Sequence, residues 1–261
     1  MIYGQPGTGK SFLALDLAAC IACGAPWFGH NTRQGGVVYL AGEGHAGLSR
    51  RLRAWALTHP DAGLQSAPLF VSRRVALLGE SDAIAEIFMA IDDSGIDHPA
   101  AVWIDTLARA AAGLDENSSR DMGTLIRACD EIRERYGCAV ILVHHAGHGQ
   151  DRARGSSAIK AALDTEISTT KDGETITVQS TKQKEGENLK PLHFRLRSVD
   201  TLWLDEDGER IHSAVLEPCD PPEQEESLGK NQTLALGVLR EMYANRRTNL
   251  EQGGVRLVAP R

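Results

Sequence analysis

The segment GQPGTGKS at positions 4–11 constrains this chain more than any other stretch. It fits the pattern G-x-x-x-x-G-K-[ST], in which a glycine-rich turn opens a helix. Glycines permit backbone conformations that point successive N–H groups inward, and the helix N-terminus adds the positive end of a dipole. Such a loop cradles phosphate groups, so the sequence predicts a nucleotide-binding α/β fold. An ordinary glycine-rich turn ahead of a helix is the alternative.

The residues of this loop have separate predicted tasks. Lys10 is expected to reach the β- and γ-phosphates of a nucleotide, and the hydroxyl of Ser11 to ligate Mg²⁺. ATP and Mg²⁺ are therefore the expected cofactors. The predicted phosphate-binding set is Gly4, Gln5, Pro6, Gly7, Thr8, Gly9, Lys10 and Ser11.

Apolar runs and amphipathic segments alternate after the loop. The predicted strands are 36–41, 69–72, 100–105 and 139–145, and the predicted helices are 11–23, 46–58, 82–91 and 122–136. This alternation predicts a mostly parallel sheet with helices on both faces. C-terminal β-hairpins are expected to follow, with residues 166–181 forming two strands around a turn at 171–173.

The length of 261 residues allows one large domain or two modest ones. We expect the nucleotide-binding core to cover residues 1–217 and a linker rich in Pro and Glu to cover residues 218–228. Residues 229–261 are predicted to form a small, incomplete unit with a helix at 234–243.

Composition excludes several classes of protein. A net charge of −7 argues against a chain that coats nucleic acid uniformly, although a local basic channel remains compatible with it. No apolar run approaches the roughly 18 residues of a membrane span, and no secretory pattern is present. The five cysteines are odd in number and scattered, which is typical of a reduced, cytoplasmic protein.

Two acidic residues follow predicted parallel strands. Asp105 ends the run AVWID, where a carboxylate can hold Mg²⁺ directly or through water. Glu43 follows the strand VVYLA between glycines and is a candidate for polarising the attacking water. A strand-end acid that caps a turn is the alternative for Asp105, and an acid in an ordinary glycine-rich loop is the alternative for Glu43.

His144 and His145 end the strand AVILVHH. A polar side chain at this edge, near the γ-phosphate, can bond to it and report hydrolysis to the loop that follows. The alternatives are a core histidine with satisfied hydrogen bonds and a zinc tract that includes His148. No Cys or acid completes four zinc ligands at the usual spacing.

Two predicted flexible loops, 106–121 and 146–160, carry local positive charge. Such loops can track a phosphate backbone without reading its sequence, although loops of this kind are most often solvated surface. The candidate DNA-binding residues are Arg109, Arg120, Arg152, Arg154 and Lys160.

The ordered segments GQPGTGKS, YLAGEG, WIDTLAR, DENSSRD, VILVHHAG, ARGSSAI and STKQKEG resemble those of RecA-like ATPases. More narrowly, they resemble the RepA-type replicative helicases of plasmids and phages, over about residues 1–216. The resemblance implies a homo-oligomeric ring, usually of six subunits, with ATP between neighbours and single-stranded DNA through the centre. Replication-initiation proteins are further expected partners. Binding to a membrane is not expected.

The resemblance also implies residue roles. Lys10 and Ser11 would bind phosphate and Mg²⁺, Asp105 would bind Mg²⁺, and Glu43 would activate water. His144 and His145 would sense the γ-phosphate, and loops 106–121 and 146–160 would face DNA.

Two features depart from the family pattern. The cation that enters the neighbour's site is often Arg, whereas the candidates here are Lys182 and Lys184, which lack the bidentate fork of Arg. Two solvated lysines at a strand end are the alternative. Family members also have residues ahead of the P-loop, so we expect Met1–Tyr3 to form only a stub of the first strand, as a result of either a late start codon or a truncated chain.

Three functions are compatible with the sequence. The first is an ATP-driven motor on single-stranded DNA. The second is a RecA-like ATPase that binds DNA without unwinding it, as a recombinase or mediator does. The third is a nucleotide-switched regulatory or assembly protein.

Overall fold

The computed structural model describes residues 1–42, 45–72, 76–80, 82–147, 156–222, 234–235 and 237–243. The chain divides into two compact units, Met1–Pro221 and Pro222–Arg261. The division falls inside the predicted linker, and the separate unit at 229–261 stays a prediction. In the second unit, residues 234–235 and 237–243 are helical.

The described part of the first unit contains nine strands, six α-helices and two short 3₁₀ helices, Pro60–Ala62 and Leu64–Ser66. The strands are β1 (Ile2–Gly4), β2 (Gly36–Ala41), β3 (Leu69–Ser72), β4 (Pro99–Asp105), β5 (Ala139–His145), β6 (Thr165–Asp172), β7 (Thr175–Gln183), β8 (Leu192–Leu204) and β9 (Arg210–Pro218). The helices are α1 (Lys10–Cys23), α2 (His45–Thr58), α3 (Ala83–Asp93), α4 (Leu107–Ala110), α5 (Ser119–Tyr136) and α6 (Ser157–Ala162).

All nine strands form one sheet in the order β3-β2-β4-β5-β1-β6-β7-β8-β9. The strands from β3 to β6 are parallel, and β7, β8 and β9 extend the sheet through antiparallel pairs. The predicted α/β class, with a mostly parallel sheet and C-terminal hairpins, is confirmed. The first hairpin turns at Gly173 and Glu174, because Asp172 already pairs with Thr175.

Apolar side chains alternate between two cores, one on each face of the parallel strands. Trp103 and Val143 belong to the core under α1 and α2, whereas Val102 and Leu142 belong to the core under α3 and α5. This is the pattern that period-two alternation produces in a strand covered on both faces. The two faces therefore have distinct helix partners, as predicted.

Residues 106–121 differ from the predicted flexible loop. They include α4, and Leu107, Ala110 and Ala111 are almost completely buried. The spacing of these three residues is helical, so a short turn of helix buries them against the sheet. Of the second predicted loop, 148–155 lie outside the described residues, and α6 begins at Ser157.

The short strand β1 lies in the middle of the parallel sheet. Its three residues pair with β5 on one side and β6 on the other, and all three are buried. Two further bonds join Met1 to β6, from Met1 N to Thr165 O (2.8 Å) and from Ile167 N to Met1 O (2.9 Å). β1 thus brings Gly4 to the carboxyl edge of the sheet.

None of the helices described in this structure combines the length and apolar character that crossing a membrane requires.

Candidate nucleotide-binding site

The loop at 4–11 leaves the sheet at Gly4, opposite His145 of β5 and Thr169 of β6. A Cβ atom at Gly4 would overlap the backbone oxygen of Thr169, so only glycine fits. Gly7 and Gly9 both have φ near +81°, the left-handed region that glycine adopts without steric cost. The loop conformation therefore depends on glycine for two separate physical reasons.

Polar contacts inside the loop hold it in shape. The Thr8 hydroxyl donates to Gln5 O at 2.8 Å, and its oxygen lies 2.8 Å from Oγ1 of Thr169. The Lys10 ammonium donates to the same Gln5 carbonyl at 2.8 Å. Gln5 also donates from Nε2 to Gly147 O at 2.8 Å, which joins the loop to the segment after β5.

Lys10 is the first residue of α1 and is almost completely buried. Burial lowers the pKa of its ammonium, and the negative charge of Asp105 opposes this shift. The first turn of α1 contains no acidic residue. A buried cation at an uncompensated helix N-terminus suits a polyanion such as the phosphates of a nucleotide.

Asp105 ends β4 and is also buried. Its Oδ2 accepts a hydrogen bond from the Tyr39 hydroxyl at 2.5 Å, and its backbone oxygen accepts from Gly42 N at 2.6 Å. Burial and then the charge of Asp105 raise the pKa of Tyr39 well above its usual value, so the hydroxyl stays a donor. These contacts fix the carboxylate beside the end of β2.

Strand alternation separates the two histidines. His145 pairs with Gly4, two positions after Val143, and so shares the face of the sheet that α1 covers. Asp105 pairs with Val143 and faces the same side. His144 is directed to the opposite face and is almost completely buried. Of the pair, His145 is therefore on the side of Asp105 and the helix that begins at Lys10.

Several predicted residues lie outside the described part of the chain, namely Glu43, His148, Arg152 and Arg154. Their roles stay predictions. Among the residues that are described, no three His, Cys, Asp or Glu side chains are grouped to hold a metal ion. The zinc tract through His148 gains no support from the described part of the chain.

Lys182 and Lys184 lie at the opposite edge of the sheet from the loop. Because β7 runs antiparallel to β6, Lys182 pairs with Glu166 near the start of β6. The Lys182 ammonium donates to Lys160 O at 2.6 Å, and that of Lys184 donates to Oδ1 of Asp164 at 2.7 Å. Within one chain, this lysine pair is remote from the phosphate-binding loop.

The described candidates for DNA binding differ in their exposure and in their ion pairs. Arg109 on α4 and Arg120 on α5 are exposed. Lys160 lies on α6, and its ammonium is 3.4 Å from Oε2 of the fully buried Glu166. The backbone N–H of Ser156 donates to Glu116 O at 2.7 Å, so the segments carrying these residues meet.

Two supporting residues were not predicted. Thr169 packs against Gly4 and Thr8, yet it is 161 positions from Thr8 and nothing near it in sequence marks it. Tyr39 interrupts an otherwise aliphatic strand, and this irregularity was a usable signal for a polar contact with Asp105.

A family model described as "AAA domain" matches residues 1–151, which is more than half of the chain. The chain belongs to this family. It is a P-loop ATPase of the AAA type, and its membership agrees with the predicted nucleotide-binding loop at 4–11. No curated protein matches the chain.

The match to the AAA domain ends before β6. It therefore includes the strands that carry the loop, Asp105 and the histidine pair. Thr169 on β6, Lys182 on β7 and Lys184, which follows β7, lie outside the matched range. The family accounts for nucleotide binding and ATPase chemistry, and the antiparallel part of the sheet requires a separate explanation.

Proposed function

We propose that this protein is an ATP-driven motor of the replicative helicase type, which works on single-stranded DNA as a ring of six copies. One observation carries the proposal. The loop at 4–11 and the lysine pair lie at opposite edges of the same sheet. In the proposed ring, a complete site would combine the loop of one copy with the lysines of another.

The strand order supports a RecA-like arrangement of the core. Because β5 lies between β1 and β4, its last residues lie between the loop and Asp105. His145 is on the same face as Asp105 and is the better candidate for sensing the γ-phosphate. Ala146, the next residue, bonds through its N–H to Gly4 O at 2.9 Å, so a shift of the loop is transmitted to the segment that follows β5.

The residues present fit a magnesium nucleotide. The glycines leave no side chain between the loop N–H groups and a phosphate, and Lys10 supplies a buried positive charge. Ser11 and Asp105 would hold Mg²⁺, which neutralises charge on the β- and γ-phosphates when bound.

Hydrolysis breaks the bond between the γ-phosphorus and the β–γ bridging oxygen as water attacks the γ-phosphorus. Glu43 would take the proton from that water, and Lys10 would stabilise the charge that develops on the leaving ADP. These roles are proposed from the sequence position of Glu43, which follows β2, and from the places of Lys10 in the loop and of Asp105 at the end of β4.

The lysine pair would complete the site from a neighbouring subunit. Glu166, the strand partner of Lys182, precedes Thr169, the strand partner of Gly4, by three residues on β6. Three residues of strand span about 10 Å, and the loop continues beyond Gly4, away from the lysines. This separation argues against an action within one chain and favours an action across a subunit interface.

DNA binding would use the surface where segments 106–121 and 146–160 meet. The exposed Arg109 and Arg120, together with Arg152 and Arg154, would contact phosphates without reading bases. Lys160 is the weakest member of this set, because Glu166 already neutralises its charge.

Strand displacement, measured together with DNA-stimulated ATPase activity, tests the proposal. A motor gives ATP-dependent displacement and stimulated hydrolysis. A recombinase or mediator gives stimulation without displacement, and a nucleotide-switched regulator gives neither. Absence of displacement on a forked substrate, with assembly into rings verified by mass, would contradict the motor function.

A further inference from the structure

The hairpin of β8 and β9 continues beyond the rest of the sheet. β8 pairs with β7 at Leu192–Phe194, whereas the pairs from Arg195 to Leu204 are with β9. α2 packs against this extension, and Arg53 of α2 donates from Nε to the backbone oxygen of Thr201 at 3.2 Å. The extension is therefore anchored on α2, and it ends in residues 202–209, here called the hairpin tip.

Three consecutive apolar side chains of the hairpin tip are exposed to solvent. Leu202, Trp203 and Leu204 have 57%, 41% and 60% of their surface exposed. Single exposed apolar residues are common on protein surfaces and need no explanation. A contiguous run that includes Trp is typical of a surface that contacts another molecule.

The backbone holds this apolar run in a strained conformation. The register of β8 and β9 shifts at Thr201 and Leu202, which form a bulge. Leu202 has a φ of +63°, which is sterically costly for a residue with a Cβ atom. The Asp200 carboxylate accepts from Leu202 N at 2.8 Å, and the Thr201 hydroxyl donates to Ile211 O at 2.6 Å. Strain that neighbouring groups maintain in this way is concentrated at functional sites.

The turn that follows the apolar run is acidic and well ordered by its own hydrogen bonds. Its four acids are Asp205, Glu206, Asp207 and Glu209. Oδ1 of Asp205 accepts from the backbone N–H of Asp207 at 3.0 Å and from that of Glu209 at 2.8 Å. The negative charges are therefore presented from a fixed turn beside the exposed Leu204.

A groove of about 580 Å³ lies beside this turn. Its lining consists of Leu204, Ile211, Arg50 of α2 and the acids Asp205, Glu206 and Asp207. Three carboxylates against one guanidinium leave the lining negative. Lys and Arg bury an apolar stem while their charged end stays among polar groups, so a groove with two aliphatic side chains and an excess of acids suits such a side chain.

We propose that the hairpin tip is a docking surface for a basic amphipathic helix of a partner protein. Leucines of that helix would cover the apolar run, and a Lys or Arg beside them would enter the groove. The acids select this chemistry, because they would repel the phosphates of a nucleic acid and an anionic membrane surface. They also disfavour a symmetric contact between two copies of this chain, since two acidic turns would then meet.

Binding of a defined peptide tests the proposal. The probe is a fluorescently labelled helix-forming peptide, acetyl-LKKLLKLLKKLLKL-amide, whose leucines share one face. Anisotropy with the unmodified chain should show saturable binding that weakens severalfold from about 0.1 M to about 0.5 M salt, since exposed charges are screened. The control peptide replaces every Lys by Glu and keeps the leucines. Equal binding of both peptides, or binding of neither, would overturn the proposal.

Variants of the chain locate the binding surface. Leu202→Gly with Leu204→Ser should weaken peptide binding about tenfold or more, because it removes the apolar contact. Glycine adopts the positive φ of Leu202 without steric cost, so the bulge is kept. The matched control is Met89→Ser with Leu189→Ser, which changes two exposed apolar residues elsewhere. An equal loss of affinity in the two double variants would mean that the peptide does not recognise the hairpin tip.

The charges are tested separately. Glu206→Gln with Asp207→Asn should weaken binding severalfold and keep Asp205, which holds the turn. Glu185→Gln with Glu187→Gln makes the same change in net charge at exposed positions outside the hairpin tip and should have little effect. Equal effects of the two pairs would overturn the proposal. It would also be wrong if Leu202→Gly with Leu204→Ser abolished self-association of the chain, measured by mass, because a second copy would then be the occupant.

The inference does not depend on the proposed motor function, which assigns no role to the hairpin tip. Peptide binding is measured without nucleotide or DNA. Failure of the peptide to bind would therefore leave the motor function untouched, and absence of strand displacement would leave the docking surface untouched.

Discussion

The two edges of the sheet differ in how closely the groups of one chain pack and hydrogen-bond there. At the carboxyl edge, Thr8 and Lys10 both donate hydrogen bonds to the Gln5 carbonyl, and Thr169 packs against Gly4. At the amino edge, a cavity separates β5 from β6. Preorganised groups favour chemistry, because they need no rearrangement when charge develops. The lysine pair at the amino edge would act only where a second copy brings it to a loop.

This contrast separates two kinds of substitution. A change at the carboxyl edge should act within its own subunit and at any protein concentration. A change at the amino edge should depend on what that edge contacts.

Lys10→Ala should reduce ATP turnover by 10³-fold or more, to about the background of the assay. The substitution removes the buried cation that faces the phosphates, and water offers weaker stabilisation of the developing charge. The control is Lys190→Ala, which removes an exposed lysine from the β7–β8 connection. Steady-state phosphate release measures both variants, and more than a tenth of normal turnover in Lys10→Ala would exclude the proposed role.

Lys182→Ala with Lys184→Ala should reduce turnover on the order of 10³-fold, because a cation supplied from a neighbour has about this effect in related chemistry. Mixing this double variant with Lys10→Ala subunits should restore part of the activity. In a mixed assembly, an intact loop meets an intact lysine pair across some interfaces.

The control replaces Lys171 and Lys190, both exposed, and should keep normal activity without mixing. Turnover per subunit should also rise with protein concentration. If a mass measurement shows that mixed assemblies form and no activity returns, the lysine pair acts within its own subunit or has no catalytic role.

Much of the carboxyl edge was predictable, because its signals are local in sequence. The loop is one contiguous motif, and Asp105 and His145 each end a continuous apolar run. Runs of this kind are typical of strands buried on both faces, so their ends mark one edge of a parallel sheet. The strand assignments therefore placed the loop, Asp105 and His145 at one edge of the sheet without knowledge of the tertiary structure.

The rest depended on contacts between distant parts of the chain. The apolar spacing of Leu107, Ala110 and Ala111 was hidden by the charge of Arg109 and the polar residues that follow, so a buried turn of helix was predicted as a flexible loop. Lys160 was assigned to DNA by its charge, although Glu166, on the following strand, lies beside it.

Gly4→Ala should destabilise the fold by about 3 kcal/mol, since the added methyl group meets the Thr169 backbone and the sheet must shift to admit it. The matched control is Gly123→Ala in α5, where nothing lies within 4 Å of the new Cβ. That change should stabilise the fold by about 0.5–1 kcal/mol through helix propensity. Urea denaturation measures both, and equal effects would refute the close packing at Gly4.

The smallest predicted effect concerns Asp16, which lies in the middle of α1 between the two edges. Its carboxylate accepts hydrogen bonds from Nε1 of Trp27 at 2.8 Å and of Trp55 at 2.9 Å. Burial raises its pKa from 3.8 to about 6, against the opposing effects of both indoles and of positive charge at His59. The group ties α1 to α2, so its ionisation affects the helix that carries Lys10.

The sign of the pH dependence follows from this raised pKa. Between about pH 4 and pH 6 the folded state binds the Asp16 proton more tightly than the unfolded state does, so stability falls as pH rises. The shift of about two units corresponds to at most about 3 kcal/mol.

Asp16→Asn removes the titration and turns an amide N–H₂ toward one indole, which costs about 1–3 kcal/mol at acid pH. The variant should therefore be less stable than the unmodified chain at pH 4.5, and the difference should shrink by pH 7. Urea denaturation, monitored by tryptophan fluorescence, measures the difference in unfolding free energy between the two chains. The contributions of other acids are the same in both chains and cancel in this difference. Parallel stability profiles for the two chains would mean that Asp16 titrates normally.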